Sequence, residues 1–418
     1  MIRNQVDWAM ITDTAPTLTP AAPFKFEPHH FSPAAYNLES SILRDILKHS
    51  NQPGVISFAG GLPAPELFPV EEIREAVDRV LTRYGSQPLQ YGLSAGYGPL
   101  REWLAERMSK QGGVHLTADN VLVTAGSQQA LDIVGRAFLS KDDYVVCSRP
   151  TYLGALQAFN FYGVRYALAE MDDHGMMVET LDPLIDKHRP KFVYTVPTFQ
   201  NPTGITMSFE RRKLLVQKAQ KYGLPIIDDN PYGELRYSGE SVPSIKNLGG
   251  QAVIQLGTFS KTVSPGFRLG WIAASRQTMG VFTRVKQATD LHTNEFSQYV
   301  IHDFVQDGRF DRHVEILKNS YRERRDAMLL AMSEFFPDTV HWTKPDGGLF
   351  LWVTLPAHVD ATMILPRAIE EKVAFVPGQS FHPDGSGKNT MRLNFSNAAI
   401  GDIHEGIKRL GRLFAEVL

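Results

Sequence analysis

The chain has 418 residues, 43% of them hydrophobic, and a formal net charge of -2 at pH 7. This length and apolar content allow a large buried core, and the near-neutral charge argues against electrostatic capture of nucleic acid or of an anionic membrane. One cysteine, Cys147 in the apolar run YVVC, excludes an internal disulfide framework. We therefore predict a soluble, cytoplasmic, globular protein with no membrane span.

The N-terminal 35 residues are predicted to form an arm without regular structure. Prolines at positions 16, 20, 23, 28 and 33 interrupt it, and such a segment is expected to lie over another part of the protein or over a partner subunit. A helix is predicted over 40–49, where Ile42 and Ile46 recur at i,i+4 spacing and Arg44 lies on the opposite side.

From residue 121 onward, short apolar runs alternate with helical stretches. Strands are predicted over 121–125, 144–147, 164–169, 192–196, 225–228, 253–256 and 269–274. Helices are predicted over 70–83, over 128–139, and over 209–222 between Ser208 and Gly223. This alternation predicts an α/β fold with a mostly parallel sheet that helices cover on both faces.

The pattern changes after residue 300. A long helix is predicted over 313–336, followed by the apolar run GGLFLWVTL and a final helix aligned by Ile403 and Ile407. We assign residues 36–65 and 310–418 to a smaller α+β domain, and residues 66–309 to the large domain.

Polar side chains follow the C-terminal ends of several predicted strands. Because the carboxyl ends of parallel strands meet at one edge of a sheet, these side chains are expected to lie together: Ser127, Gln128, Tyr152, Asn201, Asp229, Tyr232 and Lys261. The amine of Lys261 can form a Schiff base with a carbonyl cofactor. The hydroxyls and the guanidinium that a phosphate ester needs are present in Thr258, Ser260 and Arg268.

This set suits a pyridine aldehyde phosphate. Asp229 could keep the ring nitrogen protonated, Asn201 and Tyr232 could hydrogen-bond the phenolic oxygen, and Tyr152 offers a face for stacking. Lys261 could later move the proton of the substrate Cα. The phosphate group would be bound by Ser127, Gln128, Thr258, Ser260 and Arg268.

In combination, NPTG at 201–204, DxxY at 229–232 and the S-K pair before Arg268 resemble the class I/II aminotransferases, fold-type I enzymes that depend on pyridoxal 5'-phosphate. The resemblance runs from about residue 40 to the C-terminus. It implies a ping-pong transfer of amino groups through a Schiff base on Lys261, and a homodimer in which Tyr91 of one subunit reaches the phosphate of the other. It also implies that Arg392, in MRLNFS, binds the substrate α-carboxylate, with Gly61 and Asn201 at the substrate as well.

Within that family, SFAGGLPAPELFP, GSQQALD, FQNPTG, DLHTN and VAFVPG are especially similar to bacterial 2-aminoadipate aminotransferase and to kynurenine/aminoadipate aminotransferases. Arg44 occupies the place of an arginine that reads the distal carboxylate of the substrate. The resemblance therefore implies glutamate and 2-oxoglutarate as substrates, while aromatic, branched-chain, 2-aminoadipate and kynurenine side chains stay open. Alternatively, Arg44 is a solvent-facing helix charge paired with Asp45 or with a neighbouring acidic residue.

Two other functions are weighed against amino-group transfer. Lyase or decarboxylase chemistry could use the same fold and cofactor. A regulator that binds DNA is disfavoured, because the roughly 40 residues before the first matching motif are proline-rich and contain no basic recognition helix. No metal site and no nucleic-acid partner are expected.

Overall fold

The computed structural model describes residues 25–36, 53–110 and 112–418. The chain divides into two compact units, residues 1–38 and 39–418. In the first unit, the segment predicted to lack regular structure contains a 3-10 turn, Pro28–His30, and a one-turn helix, α1 (Pro33–Tyr36). The helix predicted over 40–49 lies outside the described residues. None of the helices in these three ranges combines the length and the apolar character that a bilayer span requires.

The second unit alternates strands and helices along the chain. Its strands are β1 (Ile56–Ser57), β2 (Val121–Thr124), β3 (Tyr144–Arg149), β4 (Arg165–Asp172), β5 (Gly175–Met176), β6 (Phe192–Thr195), β7 (Ile226–Asp229), β8 (Val253–Thr258), β9 (Gly270–Ala273), β10 (His341–Trp342), β11 (Phe350–Thr354), β12 (Val373–Ala374), β13 (Val376–Pro377) and β14 (Thr390–Asn394). Its helices are α2 (Val70–Tyr84), α3 (Gly98–Lys110), α4 (Ser127–Phe138), α5 (Leu153–Asn160), α6 (Leu181–His188), α7 (Phe209–Tyr222), α8 (Ile245–Gly249), α9 (Arg276–Asp290), α10 (Glu295–Phe304), α11 (Arg309–Phe335), α12 (Ala361–Glu370) and α13 (Ile400–Val417).

The largest sheet has eight strands in the order β2-β9-β8-β7-β6-β3-β4-β5. The central strands β8, β7, β6, β3 and β4 are parallel, whereas β9 runs antiparallel to both of its neighbours and β5 antiparallel to β4. The predicted mostly parallel sheet is therefore confirmed. The strand predicted over 269–274 is the reversed one.

Successive side chains of the central strands pack into different hydrophobic clusters, because they point to opposite faces of the sheet. On β7, Ile227 packs on the face that carries α4, α5 and α9, while Ile226 packs on the face that carries α6, α7 and α8. Helices therefore cover both faces, as the near-continuous apolar character of these strands predicts.

A smaller antiparallel sheet, in the order β10-β11-β14-β13, lies in the C-terminal part of the chain. The long helix α11 and the last helix α13 contribute to the core on which this sheet packs, through Leu317, Met332 and Ile407. A short parallel pair joins β1 to β12, with Ile56 opposite Val373. The C-terminal region thus has the predicted α+β character, and the proposed domain boundaries stay a prediction.

Candidate active site

A cavity of about 320 Å³ opens at the carboxyl edge of the eight-stranded sheet. With the exception of Tyr91, all of the residues predicted to bind the cofactor line this cavity: Ser127, Gln128, Tyr152, Asn201, Asp229, Tyr232, Thr258, Ser260, Lys261 and Arg268. They come from the ends of five strands and from the loops that follow. The topology therefore brings them together as the sequence predicts.

One end of the cavity is suited to an anion. Gly126 precedes α4 with a φ of 79°, and a Cβ on it would lie 2.7 Å from Nη2 of Arg268. The start of the helix and the guanidinium therefore approach each other closely only because no side chain separates them. Unpaired backbone N–H groups at a helix start, together with a nearby arginine, bind phosphate. The Gln128 side chain is turned aside and donates to the Gly154 carbonyl at 3.0 Å.

Two hydroxyls lie at the same end of the cavity, on the loop that follows β8. Thr258 Oγ1 lies 2.9 Å from Ser260 Oγ and accepts a hydrogen bond from the Ser260 N–H at 3.1 Å. Both residues are buried. The pair fixes the turn that carries Lys261 and provides short polar groups near the anion site.

Asp229, the last residue of β7, is only 2% exposed. Its Oδ2 accepts a hydrogen bond from the Tyr194 hydroxyl at 2.7 Å, while its Oδ1 has no partner. Burial raises the pKa of Asp229 to about 7, with a further upward contribution from the charge of Asp228, and the Tyr194 hydrogen bond opposes this rise. The free oxygen is an acceptor for a ring N–H. Tyr194 was not predicted from the sequence as part of the site.

Three further polar groups surround the middle of the cavity. Nδ2 of Asn201 lies 3.5 Å from the Tyr232 hydroxyl, and the Tyr232 ring packs edge-on against Phe350 with centroids 5.9 Å apart. Burial raises the pKa of Tyr152 to about 12, so this phenol stays neutral. The cavity therefore offers an amide and a hydroxyl to a ring substituent, and an aromatic face to the ring itself.

Lys261 follows β8, and its Nζ donates to the Gly61 carbonyl at 2.7 Å. Burial, together with the positive charges of Arg392 and Arg268, lowers its pKa to about 8. A fraction of the amine is therefore in its neutral, nucleophilic form near neutral pH.

Arg392, on β14, is 3% exposed and extends toward Asn201. Its Nη1 donates to Asn201 Oδ1 at 2.9 Å, and its Nη2 donates to the Ala59 carbonyl at 2.6 Å. The guanidinium stacks over the ring of Phe350 at 4.3 Å and over that of Phe381 at 5.0 Å. Burial lowers its pKa to about 10, so it remains a cation at neutral pH.

Four of the predicted site residues are not among those that line this cavity. Gly61 and Arg392 adjoin it, since the Gly61 carbonyl accepts a hydrogen bond from Lys261 and Arg392 donates one to Asn201. Tyr91 is 79% exposed, does not line the cavity, and packs edge-on against His292 with centroids 5.6 Å apart. Arg44 lies outside the described residues. Within the described ranges, no group of three or more His, Cys, Asp or Glu side chains is arranged to hold a metal ion.

A profile of the family "Aminotransferase class I and II" matches residues 54–410. The chain is 46% identical to aromatic-amino-acid aminotransferase 1 of Thermococcus litoralis over 93% of this chain and 94% of that protein. Among solved structures, it is similar to the kynurenine aminotransferase of Pyrococcus horikoshii in complex with PMP, with a TM-score of 0.90, 46% identity, and 93% and 98% of the two chains covered. It is also similar to LysN, the alpha-aminoadipate aminotransferase of Thermus thermophilus, in complex with N-(5'-phosphopyridoxyl)-L-leucine, with a TM-score of 0.87, 39% identity, and coverage of 93% and 98%.

Proposed function

Because this chain belongs to the aminotransferase class I and II family, it is an aminotransferase that uses pyridoxal 5'-phosphate, and we propose that it exchanges amino groups between L-amino acids and 2-oxo acids in a ping-pong sequence. The proposed donors are glutamate, 2-aminoadipate, and aromatic or branched-chain amino acids, with 2-oxoglutarate as an acceptor. The names of the relatives support aromatic, kynurenine and aminoadipate side chains, and they favour transfer over lyase or decarboxylase chemistry. The main support for the proposal is that Lys261 and Asp229 line the same cavity.

The residues present fit this cofactor. The buried, unpaired Oδ1 of Asp229 suits a protonated ring nitrogen, and the space next to Gly126, which a Cβ would fill, suits a phosphate beside Arg268. When bound, the cofactor supplies an aldehyde carbon that takes up the amino group and a ring that accepts the electron pair of the broken Cα–H bond. We assign the phosphate to Ser127, Gln128, Thr258, Ser260 and Arg268, the ring face to Tyr152, and the phenolic oxygen to Asn201 and Tyr232.

We assign the proton transfer to Lys261. Since its pKa is about 8, part of the Lys261 population is neutral at pH 7 to 8. The neutral Nζ can take the proton from the substrate Cα and later donate it. The Gly61 carbonyl orients Nζ through the 2.7 Å hydrogen bond. Asp229 keeps a proton at the ring nitrogen during these steps.

We assign the substrate carboxylate to Arg392, with Asn201 and Gly61 beside it. The guanidinium is held in place by Asn201 Oδ1 and the Ala59 carbonyl, and a planar fork binds a carboxylate through two parallel hydrogen bonds. We further propose that Arg44 binds the distal carboxylate of substrates that have one. This assignment rests on the sequence resemblance.

We also propose a cytoplasmic homodimer in which Tyr91 completes the partner's phosphate site. Support comes from the exposure of the Tyr91 ring in the single chain and from Cys147, a free thiol in the core. A buried thiol of this kind suits a reducing compartment.

The test mixes the pyridoxal phosphate form of the protein with single amino acids and follows the absorbance of the bound cofactor. Glutamate and a subset of aromatic, aliphatic or aminoadipate donors should convert it to the pyridoxamine form, and 2-oxoglutarate should then restore it. A spectrum unchanged by every donor would contradict the proposed function.

A further inference from the structure

Resting on the proposed function, we infer that Tyr194 is a positioning residue for the reaction: its hydroxyl engages one carboxylate oxygen of Asp229 and leaves the other free for the ring nitrogen of the cofactor. Tyr194 is not among the residues that line the cavity, and it does not contact the reacting atoms. It acts through Asp229.

The geometry follows from the register of two parallel strands. Tyr194 on β6 pairs with Ile227 on β7, so Asp229 lies two residues further along and on the same face of the sheet. Tyr194 is 1% exposed, and its ring packs edge-on against Phe159 with centroids 5.6 Å apart. The hydroxyl is therefore held at a fixed place, 2.7 Å from Oδ2 of Asp229.

The two oxygens of the Asp229 carboxylate have different surroundings. Oδ2 is engaged by Tyr194, whereas Oδ1 is buried and without a partner. Leaving a buried acceptor unpaired is costly, so this oxygen favours an N–H donor placed in the cavity. A carboxylate free to rotate could present either oxygen, and the tyrosine removes that freedom.

The same hydrogen bond favours the ionised form of Asp229. Burial and the charge of Asp228 raise the pKa of Asp229, and the Tyr194 hydroxyl lowers it. Tyr152 and Tyr232 also interact with the charge of Asp229, and burial keeps both of them neutral, while the basic side chains of Lys261 and Arg268 line the same cavity. Losing the Tyr194 hydroxyl should therefore raise the pKa of Asp229 and favour the protonated acid. The neutral acid lacks the negative charge that strengthens a hydrogen bond from the ring N–H.

The experiment compares the wild-type protein with Tyr194→Phe, each freed of cofactor, in binding pyridoxamine phosphate from pH 6 to 9. This probe has no aldehyde, so reaction with Lys261 does not contribute. Loss of a hydrogen bond to a charged group should weaken binding about tenfold at pH 7.5. The acidic limb of the affinity profile should also move to higher pH.

The control is Tyr162→Phe, which removes another 2.7 Å hydrogen bond from a tyrosine to a carboxylate, that of Asp132, outside the cavity. It should leave both affinity and pH profile unchanged. If Tyr194→Phe does not fold, 3-fluorotyrosine in place of Tyr194, a stronger donor, serves instead and should move the acidic limb to lower pH.

A second probe distinguishes a loss of the hydrogen bond between Asp229 and the ring nitrogen from a general disturbance of packing around Tyr194. A cofactor analogue with C–H in place of the ring nitrogen should bind equally to wild type and to Tyr194→Phe. Equal pyridoxamine phosphate binding by the two proteins at every pH would overturn the inference. It would also be overturned if Tyr194→Phe reduced the affinity for the two probes equally. Absence of pyridoxamine phosphate binding by the wild-type protein would instead overturn the proposed function.

Discussion

Replacing Arg392 by lysine keeps the positive charge and removes the planar fork. The arginine donates to Asn201 Oδ1 at 2.9 Å and to the Ala59 carbonyl at 2.6 Å, and it stacks over Phe350 at 4.3 Å. A lysine ammonium is a point charge without a planar face, so it cannot keep both bonds, the stacking, and a bidentate hold on a carboxylate.

The expected loss follows from those contacts. A hydrogen bond to a charged group contributes about 1.5 to 3 kcal/mol, and Arg392→Lys should lose at least one such bond to the substrate carboxylate. Loosened placement of the cation adds to this loss. A total of about 3 kcal/mol corresponds to a decrease of about a hundredfold in kcat/KM for an amino acid.

The assay follows the first half-reaction with glutamate and with an amine that lacks the α-carboxylate. We expect the hundredfold loss only for glutamate. The control is Arg101→Lys, because Arg101 also donates two hydrogen bonds, to the carbonyls of Val121 and Ala118, but neither partner lines the cavity, as Asn201 does for Arg392. Equal losses for both substrates, or no loss for either, would refute the assignment of the carboxylate to Arg392.

The remaining predictions concern three other positions. The rate at which Lys261 captures pyridoxal phosphate should rise about tenfold per pH unit below its pKa of about 8 and then level off, because the neutral amine is the nucleophile. Stopped-flow absorbance measures this rate, Lys261→Ala should abolish both capture and turnover, and a flat pH profile would contradict the pKa. Arg44→Ala should reduce kcat/KM for glutamate far more than for leucine, and equal losses for the two substrates would refute the assignment of the distal carboxylate to Arg44. Gly126→Ala forces a Cβ to within 2.7 Å of Arg268 Nη2 at a φ of 79°, so it should weaken pyridoxal phosphate about tenfold and leave pyridoxal, which has no phosphate, unaffected. Equal weakening of the two ligands would show that Gly126 does not serve the phosphate.

The sequence was sufficient to predict elements whose ends carry a local signal. Helix α7 begins and ends where predicted, because the Ser208 side chain caps the Arg211 N–H and Gly223 adopts the left-handed conformation that ends the helix. The direction of β9 could not be predicted, since an apolar run looks the same in both directions. The pairing of Ile56 with Val373 could not be predicted either, because no local sequence pattern links segments so far apart in the chain.

The candidate site was predictable where its chemistry resides in side chains at strand ends, as for Lys261 and Asp229. It was not predictable where a backbone atom makes the contact, as for the Ala59 carbonyl, because any residue supplies the same group. Gly61 was expected at the substrate from the family resemblance, but the bond from Lys261 to its carbonyl was not. Tyr194 was missed for another reason. A tyrosine in the apolar strand FVYT is predicted to be an ordinary core residue. Only the register between β6 and β7 brings its hydroxyl to Asp229.

The contact between Arg392 and Ala59 joins positions 333 residues apart. At about 5 to 20 residues per second, a ribosome would need roughly 15 to 70 s between making the first partner and the second. Throughout that interval, the buried residues Phe58 and Ala59 have no β12 or β14 to pack against. The newborn chain therefore carries an uncovered apolar segment at Phe58 and Ala59 throughout that interval, and the segment is accessible to chaperones during this time.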